Sequence, residues 1–70
     1  MNNTTPTDIQ RAEEALARAE RGGYGEYTRA QLTIAHVHIQ RAEREGVDYR
    51  ITDHLWERYE LLGVLSHETL

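Results

Sequence analysis

An all-α fold, a small three-helix bundle that pairs with a second copy of itself, is what this chain predicts on three observations. Apolar residues recur at three-and-four spacing, glycines fall where each such stretch ends, and threonines stand where each begins. Helices are expected over residues 6–21, 29–45 and 53–62, in one domain spanning 1–70 whose ends, 1–4 and 66–70, fray.

The first helix is announced by Thr5-Pro6-Thr7-Asp8, a threonine cap followed by proline at the first helical position and a carboxylate at the third. Gly22-Gly23 then supplies a left-handed stop, with Tyr24-Gly25-Glu26 continuing the turn. Its apolar face is modest: Ile9, Ala12, Leu16 and Ala19 allow close approach but bury little area.

For the second helix, Thr28 and Gln31 have capping-box spacing, Tyr27 is placed to staple onto Leu32, and Gly46 is the stop. Two apolar stripes run along it. Thr28, Leu32, Ala35, Ile39 and Ala42 form one; Ala30, Ile34 and Val37 form another about half a turn away. A surface helix needs one stripe, so the second must meet another helix of the chain, a second copy, or a different protein. Self-association through Ala30, Ile34 and Val37 follows as an expectation.

After an extended link, Val47-Asp48-Tyr49-Arg50, Thr52 can cap a third helix with Ile51 and Trp56 as its staple. Ile51, Leu55, Tyr59 and Leu62 share its apolar side, and Gly63 ends it with Val64 folding back. Trp56 and Leu61 project from the flanks beside Arg58. Tryptophan and arginine are enriched at binding hot spots, so Trp56, Arg58 and Leu61 are the candidate partner-binding residues.

Composition bounds the function. Seventy residues without cysteine leave neither disulfide nor thiolate metal site as a staple, and one core of this size supplies only about 3–5 kcal/mol. Association with another chain is the remaining way to enlarge it. No apolar run approaches the roughly 20 residues a bilayer requires, and the polar start lacks signal-peptide blocks, so a cytoplasmic protein is expected. All eight basic residues are arginine, as in GC-rich genomes, and the formal net charge of −4 disfavours nonspecific attraction to nucleic acid. Such a composition suits a phage or mobile-element product.

Chemical signatures are weak. In a strand, Ile34, His36 and His38 would share one face and two imidazoles could hold a metal; in a helix, residues two apart diverge, and the flanking helix signals favour that reading. Glu13-Glu14 with His54 or His67 reads as solvated charge, and Ser66 and Thr69 lack a positioned base. Gly22-Gly23-Tyr24-Gly25 follows a helix rather than a strand and carries no lysine, unlike a phosphate loop. The short echo Ile9–Glu13 against Ile39–Glu43 reflects Arg/Glu/Ala composition, and pairs such as Glu14 with Arg18 supply a solvated face. No catalytic residue, metal or cofactor is expected.

The alternative is a helix-turn-helix DNA-binding regulator, with Arg50, His54 and Arg58 on an exposed side of the last helix. Over Arg58–Ser66 the chain resembles the end of a recognition helix in MerR-type regulators, which implies major-groove docking of that helix. Glu57 and Glu60 would face the phosphates there. The sequence therefore predicts a non-enzymatic interaction module, an adaptor or inhibitor of a larger protein.

Overall fold

A computed structural model describes residues 7–22 and 25–68, with side-chain surroundings through residue 64. Three helices follow in order: α1 (Asp8–Arg21), α2 (Glu26–Arg44) and α3 (Tyr49–Glu68). The described residues contain no strand, so the strand reading of Leu32–Ile39 falls and His36 and His38 are helical.

Each helix begins earlier or later than its threonine suggested. In α1 the cap is Thr7, not Thr5: its Oγ1 accepts from the Gln10 N–H at 3.1 Å, while Gln10 Oε1 accepts from the Thr7 N–H at 2.9 Å. That reciprocal pair satisfies two groups the first turn would otherwise leave open. Thr5 and Pro6 lie outside the described residues. α2 starts at Glu26 behind Gly25, with no side-chain cap, which places Tyr27 inside the first turn rather than before it. The Tyr27 ring lies over Gly22, where an added Cβ would come within 2.6 Å of the ring. Gly22 itself is right-handed, φ −88°, so its role is this close approach and not a left-handed stop; Gly23 and Tyr24 lie outside the described residues.

Thr28 and Thr52, both read as caps, are instead buried in helix interiors. A buried threonine can pack its methyl only if its hydroxyl finds an acceptor. Thr28 Oγ1 donates to the Ala19 carbonyl of α1 at 3.4 Å, and Thr52 Oγ1 donates to the Tyr49 carbonyl at 3.1 Å. The residue that precedes α3 is Asp48, whose Oδ1 accepts from the Arg50 N–H at 2.9 Å. The extended link shrinks accordingly to Val47 and Asp48, preceded by a left-handed Gly46 at φ 89°. There the Gly46 and Val47 N–H groups bond back to Glu43 and Ala42 carbonyls, both at 3.1 Å, closing α2 with a Schellman turn.

Gly63 does not end α3. The helix continues to Glu68, Val64 is 54% exposed and does not fold back, and residues 66–68 are helical rather than frayed. One glycine costs a helix about 1 kcal/mol relative to alanine, which a long helix tolerates.

The core draws on one face of each helix. α1 contributes Ala12, Ala15, Leu16 and Ala19; α2 contributes Leu32, Ala35 and Ile39; α3 contributes Leu55 and Leu62, with Ile9, Trp56 and Tyr59 packed at its edge. Ala15, unnamed in the sequence pattern, is fully buried, whereas Ile51 turns outward, 46% exposed, because Thr52 takes the inward position. α2 is the central helix, packing most extensively on α1 and next on α3, while α1 and α3 touch least. The three helices form a compact all-helical fold with a radius of gyration of 12.5 Å.

Candidate interaction surface

The two stripes of α2 have different fates. All five residues of the first, Thr28, Leu32, Ala35, Ile39 and Ala42, are buried against α1 and α3. The second is left to solvent: Ala30 is exposed, Ile34 is 41% and Val37 45% exposed. No other helix of the described chain covers it, which removes the first of the three partners the sequence allowed. Glu26 precedes this stripe, and Arg41 and Arg44 follow it at the opposite end of the helix.

On α3 the three candidate residues divide. Trp56 is half-buried between helices, its ring edge-on to Tyr59 at 5.4 Å and to His36 at 5.2 Å, while its indole N–H donates to Glu43 Oε2 at 2.8 Å. Its expected pairing with Ile51 is replaced by this aromatic triangle. Arg58 reaches α1, where Nε and Nη2 donate to the two Glu20 carboxylate oxygens at 3.1 and 3.0 Å. Leu61 is free of such ties at 62% exposure, one turn before the exposed Val64. The sequence therefore identified an exposed leucine, but two of its neighbours spend their polar groups within the fold. The carboxylates that engage them, Glu20 and Glu43, lie 38 and 13 residues away and carry no local signal.

His36 and His38 serve different neighbours. His36 joins Trp56 and Tyr59 of α3, whereas His38 Nδ1 lies 2.7 Å from Asp8 Oδ1 at the start of α1. A carboxylate can only accept, so the Nδ1–H donates. This hydrogen bond, helped by the charge of Arg41 and opposed by desolvation, holds the Asp8 carboxyl below its ordinary value of 3.8. Asp48 is lowered too, through its bonds from the Arg50 N–H and then the Arg50 side chain. Both carboxylates sit at helix N-termini, where negative charge is favoured.

The remaining candidates do not converge. Glu13 and Glu14 are exposed, Glu14 meets Arg18 at 3.7 Å as expected, and exposed His54 is 3.9 Å from its neighbour Glu57. Gln31 makes no capping box; its Oε1 is buried without a hydrogen-bond partner among the described residues. Ser66 and His67 belong to the helical end of α3, and Thr69 lies outside the described residues. No described helix is long and apolar enough to cross a membrane. No family model, curated protein or solved structure matches the chain.

Proposed function

We propose that the protein is a non-enzymatic helical interaction module, which associates with itself through Ala30, Ile34 and Val37 and serves as an adaptor or inhibitor of a larger protein. The observation that carries the reading is the uncovered apolar stripe of α2, on a helix whose opposite face already fills the core. A chain this small gains stability by sharing surface, and β-branched side chains left half-exposed in a row are a natural place to share it. Contact with the larger protein is assigned to α3, with Leu61 at its centre and Trp56 and Arg58 framing it. A cytoplasmic setting and a phage or mobile-element origin accompany this reading on composition alone.

The DNA-binding alternative finds less support on this surface. Arg50, His54 and Arg58 each stand beside a carboxylate, Asp48, Glu57 and Glu20 respectively, so their charge is locally offset.

Capture from the native cell tests the module directly, using wild-type, Ile34→Glu and Leu61→Glu baits side by side. A specific protein lost with Leu61→Glu but kept with Ile34→Glu supports separate self-association and partner surfaces. Recovery of the same proteins with all three baits removes both assignments, and selective retention of duplex DNA favours the regulator.

A further inference from the structure

Charge is distributed along the outer face of α2 with a direction. At 100° per residue, Glu26, Ala30, Ile34, Val37, Arg41 and Arg44 fall within an arc of about 80°, at successive spacings of four, four, three, four and three. That is the three-and-four spacing of a coiled-coil seam, with its one acid at the start, the apolar residues in the middle and its two bases at the end. Glu26 and Arg44 form no ion pair with another described residue, while Arg41 lies near the Asp8 carboxylate. The midpoints of Glu26 with Arg41 and of Glu26 with Arg44 fall on either side of Ile34.

We propose that a second copy of the chain occupies this face in antiparallel orientation, its two-fold axis passing beside Ile34, with Glu26 of each protomer against Arg41 and Arg44 of the other. The proposal rests on the self-association reading above and adds its geometry. Parallel pairing in register would set Glu26 against Glu26 and arginine against arginine, and would align the two helix dipoles. The antiparallel arrangement replaces both repulsions with attractions at each end, and brings Ala30 of one protomer opposite Val37 of the other. An isologous contact of this kind closes at two chains. One helix face is small for an interface, so the dimer forms in the micromolar range rather than tighter.

Sedimentation velocity on the full chain across a micromolar concentration series tests this, with circular dichroism confirming that each variant stays helical. Glu26→Arg alone and Arg44→Glu alone are each expected to weaken the dimer about tenfold. Combining both changes in one chain restores it in part, because Arg41 still faces position 26, and mixing the two single variants yields a heterodimer stronger than either parent. A dimer abolished by Ile34→Glu yet unchanged or strengthened by Glu26→Arg overturns the antiparallel geometry and leaves self-association standing. A wild-type monomer at every concentration overturns both, and a dimer indifferent to Ile34→Glu moves the interface off α2.

Discussion

The seam between α1 and α2 and the seam that α3 makes with both are built from opposite materials. α1 and α2 bury Ala12, Ala15, Ala19, Ala35 and Ala42 alongside Leu16, Leu32 and Ile39, with the Thr28 hydroxyl set against the α1 backbone; α3 buries Leu55 and Leu62 and is tied by an aromatic triangle and a bidentate ion pair. Alanines let helices approach closely, so little area is buried per residue but no added volume fits. Large side chains bury more, and their polar tips fix orientation. At its alanines the first seam should fail on enlargement, whereas its large side chain Leu16 and those of the second seam should fail on truncation.

Leu16→Ala is expected to have the largest effect, about 2–5 kcal/mol in chemical denaturation, because Leu16 is the one large, fully buried side chain of α1. A loss under 1 kcal/mol would mean that the helices collapse onto the gap. Ala15→Leu comes next. Ala15 lies two turns beyond Asp8, the residue that bonds α2, so the added carbons enter the tight seam at a cost of about 1–3 kcal/mol. A neutral or stabilising result would show slack between α1 and α2 and break the contrast.

Smaller effects sharpen it on the α3 side. Trp56→Phe keeps an aromatic ring but loses the bond to Glu43, and a loss of about 1 kcal/mol is expected in chemical denaturation, with no further loss when Glu43→Gln is added. Arg58→Ala removes a partly exposed pair and should cost no more than about 1 kcal/mol, shrinking in high salt. The last prediction is directional. Asp8, depressed in the fold, stabilises above its unfolded value of 3.8 and loses that contribution as pH falls through the lower folded value. The gap in thermal midpoint between wild type and Asp8→Asn should therefore be full near neutrality and close in strong acid; a gap that persists there would assign Asp8 a purely steric role.

What the sequence made legible was periodicity. All five residues of the inner α2 stripe are buried, and Gly46 ends α2 with the positive φ that its position implied. Starts were less legible, for a reason visible in Thr28 and Thr52: a threonine can cap a helix or sit inside one with its hydroxyl on a carbonyl, and only the tertiary setting decides. Gly63 carried the same ambiguity between stop and passenger. Of the candidate interface, the outer stripe was evident because it is local to one helix. The ties on Trp56 and Arg58 were hidden because Glu43 and Glu20 belong to other helices, and nothing in a single sequence pairs residues across that separation.

The position of the sole tryptophan gives the molecule a built-in optical probe. Its neighbours, His36, Tyr59 and Glu43, all come from α2 and α3, so indole emission follows the parting of those two helices, while far-UV ellipticity averages over all three. The alanine seam tethers α1 by different forces, and the two signals can therefore disagree along a denaturation curve. Coincident curves mean that the two seams give way as one cooperative unit; displaced curves resolve an intermediate in which one seam survives the other, without a label attached anywhere.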